Sequence, residues 1–162
     1  MSHLNGINSS KLLAEEKSLI LNSFDLNHAL NLGDIAKNIG HSRKLPIAIE
    51  VRIGNWVVYH ASLPGSTIDN QNWIDRKARV VLLTHHSTLF ERVNSEETDI
   101  DWYVSNNLTP ETHSIHGGGL PLITENLGFQ GALIISGLPH VEDHFFGVEI
   151  LKNFLAQEKE KV

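Results

Sequence analysis

A chain of 162 residues, 41% hydrophobic and 20% charged, has the composition of one globular domain long enough to bury a substantial core. Its formal charge of −6 argues against extended phosphate contact and so against nucleic acid as a partner, and no apolar run reaches the roughly 20 residues that span a bilayer. The absence of cysteine removes disulfides, thiolate metal sites and a cysteine nucleophile, and with a start that lacks signal-peptide order it points to the cytoplasm.

From about Ser9, "SSKLLAEEKSLILNSF" sets Leu12, Leu13, Glu16, Leu19 and Ile20 at helical spacing behind a serine cap. After Asp25, "DLNHALNLGDIAKNIGHSR" repeats the pattern through Leu26, Ala29, Leu32, Ile35 and Ile39, and Gly40 reads as the stop. The period then changes. "LPIAIEVRIGNWVVYHASL" is β-branched and aromatic, with Gly54-Asn55 where a tight hairpin reverses the chain and Pro46 at the start of the first strand.

Next, "STIDNQNWIDRKARVVLLTHHSTLFERV" carries capping residues at Thr67, Asp69 and Asn70 and predicts one long or two-part helix. Residues 94–112 are polar and irregular, with a short element around Trp102, Tyr103 and Val104. "LPLIT" and "FQGALIISG", joined by the turn "ENLG", make two strands, the second nearly all apolar and therefore central. Pro139 suits the first turn of a final helix whose stripe is Val141, Phe145, Val148, Leu151 and Leu155. This order predicts an α+β fold with a mostly antiparallel sheet covered by helices, not a doubly wound parallel sheet.

"HSIHGGGLPLI", residues 113–123, sets two imidazoles beside three glycines. His116 with Gly117 and Gly118 reads either as a turn, where glycine supplies positive φ, or as a ligand-facing backbone loop. An HGGG oxyanion loop is excluded as an esterase signature because no GxSxG elbow occurs, and neither GxGxxG nor GxxxxGK[ST] is present.

The remaining candidates each admit two readings. His85 and His86 are adjacent, so on a helix they diverge by about 100° and share a metal poorly; His86 alone is a buried hydrogen-bonded side chain or an axial ligand. His140 and His144 are four apart, a metal-ligand spacing, but no HExxH glutamate accompanies them, and no metal site is assigned. Arg76 and Lys77 in "DRKAR" form a solvated face or receive carboxylates. Trp73 reads as core.

Taken together, "DNQNWIDRKARVVLLTHHSTLF", "HGGGLPL" and "ISGLPHVEDHFFGVEIL" resemble, in this order and spacing, an uncharacterised subgroup of the HbpS-like and GlcG-like heme-degrading-domain proteins. The likeness covers roughly residues 10–158. It implies a profilin-like fold with a sheet of about five antiparallel strands between helices, homo-oligomers, and binding of a small ligand, heme first. The family pattern falls on Asp69, Asn70, Trp73, Arg76 and Lys77, on His86 and Ser87, on His116, Gly117 and Gly118, and on Asp143 and His144. His85, at a position often glycine, and Gly119 sit where the pattern varies.

If heme is bound, an imidazole of His86, His116 or His144 would ligate iron and Arg76 or Lys77 would hold propionates; once the heme is reduced and takes up oxygen, oxidative ring opening would follow. The competing class is a non-catalytic assembly protein, its histidines and glycines serving as packing devices.

Overall fold

The computed structural model describes residues 6–161. Helices α1 (Ser9–Ser18) and α2 (Leu26–Ser42) lead into strands β1 (Ala48–Ile53) and β2 (Trp56–Ser62). Three helices follow, α3 (Ile68–Thr84), α4 (Thr88–Glu97) and α5 (Trp102–Asn106), and then β3 (Gly119–Thr124), β4 (Gly128–Ser136) and α6 (His140–Glu160). The sheet runs β2-β1-β4-β3, and all three pairings are antiparallel.

The expected five strands are therefore four. Where a fifth would extend the β3 edge, the chain makes a single parallel bridge at Leu21 to Thr124, too short to become a strand.

Side-chain alternation divides the core into two layers. Ile49 and Val51 of β1 with Leu133 and Ile135 of β4 point to one face, where α2 and α6 cover them. Ala48, Ala132 and Ile134 point to the other and meet Ile74, Ala78 and Val81 of α3. Each fully buried Val, Leu or Ile side chain among these contributes roughly 1.5–3 kcal/mol. β4 is central, as its apolar run predicts, and its faces are covered within the chain. "ALIIS" therefore leaves no apolar surface that would by itself demand a partner copy.

Several local expectations hold with changed detail. Asn8, not a serine, caps α1 by accepting from Lys11 N at 2.9 Å. Helix α2 does not stop at Gly40 but runs to Ser42; Gly40 lies inside it because a Cβ there would stand 2.8 Å from Leu63 Cδ1. Gly54, at φ +55, makes the predicted hairpin turn. In α6 the buried stripe is His144, Val148, Leu151 and Phe154 together with Phe146 and Ile150, while the expected Phe145 is 41% exposed.

The "HHS" segment is the break in the two-part helix. His85 takes φ +60 as the C-cap of α3, its ring stacked 4.0 Å from that of Phe129, and Ser87 Oγ caps α4 by accepting from Phe90 N at 3.1 Å. An L-residue in that left-handed conformation costs about 1–2 kcal/mol where glycine would cost little.

Candidate functional site

Helix α3 passes beneath β4 and faces the amino end of α6, and the segment 113–118 crosses between them. This brings Asn70, Trp73 and Lys77 of α3, His116 of the segment, and His140 and Asp143 of α6 around one cavity of about 280 Å³. Ser136, Gly137 and Leu138, where β4 turns into α6, close its floor.

Lys77 and Asp143 are each 2% exposed at the side chain and lie 3.1 Å apart. Lys77 Nζ also donates to Ile135 O at 2.9 Å, and Asp143 also accepts from Leu138 N at 2.9 Å and Gly137 N at 3.4 Å. Burial lowers the Lys77 ammonium and raises the Asp143 carboxyl, while the attraction between them opposes both shifts. Two protein acceptors leave the third N–H of Lys77 without a protein partner among the described residues. The expected solvated "DRKAR" face is thus wrong at Lys77, which is core. Arg76 lies where expected but is occupied: its Nη1 donates to Pro110 O at 3.0 Å and its guanidinium covers the Trp73 ring at 4.0 Å.

The glycines serve close approach. Gly117 has an ordinary φ, but a Cβ on it would collide with His140 O; Gly118 has φ +128, and its Cβ would collide with Ile135 O. Gly117 N–H donates to His140 Nδ1 at 3.1 Å. A neutral His140 therefore carries its proton on Nε2. His116 packs 4.8 Å from the Trp73 ring and 5.0 Å from the His140 ring, and neither of its ring nitrogens has a protein hydrogen bond among the described residues. Burial, with help from the charges of Arg92 and His140, pushes the His116 imidazole down to about 4; burial lowers His140 as well. At neutral pH His116 is an uncharged imidazole with two free nitrogens in a cavity.

The other predicted residues lie elsewhere. His86 Nδ1 contacts Glu16 Oε2 at 2.7 Å and its ring packs on Phe90, so His86 and His116 do not line one cavity. His144, 1% exposed, turns Nε2 to Glu15 at 2.8 Å, and its Nδ1 is buried without a partner. His140 and His144 share a helix but not a destination. Asp69 is exposed in the first turn of α3, whereas Asn70 bridges to the cavity floor through Ser136 Oγ at 3.2 Å. Trp73, read as core, is half-buried in the cavity wall. Ser136-Gly137-Leu138 were not singled out, and His140 was weighed only as a metal partner of His144; the strand-to-helix turn "SGLPH" was their available signal.

Three larger hollows, of about 420, 450 and 320 Å³, lie beside Ser18–Ser23 with the end of α6, beside Arg92 with Tyr103, and between Leu19 and Lys152. None of them holds a neutralised imidazole beside a buried ion pair, the combination that marks the smaller cavity.

A family model described as haem degrading protein HbpS-like matches residues 24–152. A UPF0303 protein of Streptomyces avermitilis is 36% identical over 147 residues, covering 91% of this chain and 90% of its own. The solved structure of the Ybr137w protein superimposes with a TM-score of 0.84 at 26% identity, over 92% of this chain and 88% of that one. The PduOC–heme complex shares the fold at a TM-score of 0.66 and 15% identity, over 83% of this chain and 94% of the other.

Proposed function

The chain belongs to the HbpS-like family, and from that premise we propose that it binds a small carboxylate-bearing ligand, heme or another tetrapyrrole first among them, in the cavity lined by His116. The observation that carries this reading is His116 itself: a half-buried imidazole, held neutral down to about 4, with no protein partner at either ring nitrogen among the described residues. Neutral imidazole is the form that ligates iron. A solved heme complex on the same fold adds support.

The residues fit such a group at the level of donors. His116 would supply an imidazole nitrogen to hold the iron. The free N–H of Lys77 and the Nε2–H of His140 offer donors to a carboxylate, and charge-assisted bonds of this kind are the stronger sort. Arg76, His86 and His144 have other partners in the fold and are not needed for this reading. A cavity of about 280 Å³ lies just under the roughly 300–1,000 Å³ of typical ligand pockets, so it encloses a small acid or one edge of a larger ring. Heme, when bound, would supply the iron redox chemistry.

Titration of the protein with heme tests the proposal. A Soret band is expected at micromolar concentration, lost or shifted in His116→Ala and retained in His86→Ala. A band that His116→Ala leaves unchanged would remove His116 as the ligand.

A second reading, an oligomeric assembly protein without heme activity, is favoured by large apolar side chains left in solvent: Ile68 and Val104, 79% and 78% exposed, and Trp56. Self-association is expected under either reading, in a reducing cytoplasm that the cysteine-free sequence suits. Among the described residues no helix is long and apolar enough to cross a membrane. A monodisperse monomer by light scattering would dispose of the assembly reading.

A further inference from the structure

The face of the sheet that meets α3 also carries a second cluster, at the open edge strand β2. Glu50 stands opposite His60 in the β1–β2 register, and Ser62 lies two residues further along β2, so the period of two sends all three side chains to one face. His60 Nδ1 is 3.2 Å from Glu50 Oε2, and His60 Nε2 is 2.8 Å from Ser62 Oγ. The Glu50 side chain is 2% exposed and also accepts from Arg52 Nε at 2.6 Å and Gln71 Nε2 at 3.1 Å. It is a fixed acceptor. An ionised carboxylate only accepts, so the proton of a neutral His60 sits on Nδ1 and the lone pair of Nε2 faces the Ser62 hydroxyl.

This is the tautomer and order of a serine nucleophile, its base and the acid that orients the base, which are recognised by geometry and not by position in the chain. We propose that Ser62 is a nucleophile, activated by His60 and oriented through Glu50, that hydrolyses small carboxylic esters. None of the cavities described above is lined by His60 or Ser62, and Ser62 is exposed, so nothing encloses a long acyl chain. Short, activated esters are the class that fits. Leu63 N–H is spent on Ile47 O at 2.9 Å, and the alternation of an antiparallel ladder therefore turns Ser62 N–H away from β1 to the open edge, a donor for an oxyanion.

In the first step Ser62 Oγ bonds to the ester carbonyl carbon and its proton passes to His60 Nε2. The bond to the alcohol oxygen then breaks, and that oxygen takes the proton from Nε2, leaving an acyl-serine. Water attacks the acyl carbon and gives a proton to His60. The bond to Oγ breaks, Oγ recovers the proton, and the carboxylic acid leaves.

An alkyl fluorophosphonate with peptide mapping, and p-nitrophenyl acetate hydrolysis, test the assignment on the intact protein. One adduct is expected on Ser62, absent from Ser62→Ala, with labelling and hydrolysis falling about a hundredfold in His60→Gln. His60 is exposed at the strand edge, so this variant keeps the fold where a change at buried Glu50 disturbs Arg52. His41→Gln, a change at an exposed imidazole of α2 that belongs to neither site, must react like wild type. A folded protein that gives no Ser62 adduct, or one that labels equally fast in His60→Gln, overturns the inference and leaves a surface hydrogen-bond chain.

Discussion

The ammonium nitrogen of Lys77 fills the space that a side chain on Gly118 would need: a Cβ there would stand 2.7 Å from Nζ. The buried charge and the bare backbone are one packing solution, contributed by segments about 40 residues apart in the chain.

Gly118→Ala should therefore destabilise more than Gly117→Ala. The first places a Cβ at φ +128 and against Ile135 O and Lys77 Nζ; the second meets only the His140 carbonyl and the neighbouring side chain of His144. Losses of about 2–4 and about 1–3 kcal/mol are expected from strain and overpacking, read from urea midpoints at constant m. Equal stability with weakened heme binding would instead make the glycines ligand contacts.

Removing one member of the Lys77–Asp143 pair strands the other charge in the core. Lys77→Met or Asp143→Leu alone should cost about 3–5 kcal/mol, and the double variant should recover much of that loss because neither charge is then left unpaired. Additive losses in the double-mutant cycle would contradict a coupled pair.

Acid should weaken the fold through His116. In the unfolded chain this imidazole protonates near the ordinary value of about 6.5, but in the fold it stays neutral down to about 4. Between those values the unfolded state binds the extra proton, so stability falls as pH drops from about 6.5 toward 4 and changes no further on this account below that. His140, also lowered by burial, acts in the same direction. His116→Gln should flatten the curve in that window, and chemical denaturation from pH 4 to 7 would show it.

Glu16 ties α1 to the helix break. Its Oε1 accepts from Ser87 N and its Oε2 from His86 Nδ1, each at 2.7 Å. Glu16→Ala leaves the buried Ser87 N–H without that acceptor and should cost about 1–3 kcal/mol. Faster hydrogen exchange across residues 9–18 would accompany the loss, whereas unchanged exchange there would show that apolar packing of Leu12 on Leu89 and Val93 alone holds the helix.

What the sequence determined by itself was local. The β-branched run in "AIEVRI", the apolar run in "ALIIS", the Gly54-Asn55 turn, the capping residues before α3 and the apolar period of the helices depend on a few neighbouring residues, and they predicted the element order, the antiparallel sheet and its central strand. The family pattern likewise singled out Asn70, Lys77, His116 and Asp143 before any of them had a place in space.

Tertiary structure decided which side of each residue met a partner. Lys77 reads as a surface cation until Asp143, 66 positions away, is packed against it. Gly40 reads as a helix stop until Leu63 needs its missing side chain, and Phe145 yields its buried place to Phe146 because α6 rotates to seat His144 and Gly147 against the fold. Three histidines looked interchangeable as ligands; only contacts across the chain sent His86 and His144 to the adjacent glutamates of α1 and left the nitrogens of His116 without a partner among the described residues. A buried charge or an unpartnered imidazole is a property of non-local neighbours, because its energy is set by desolvation and by donors and acceptors that only the packed elements bring within 3 Å or so.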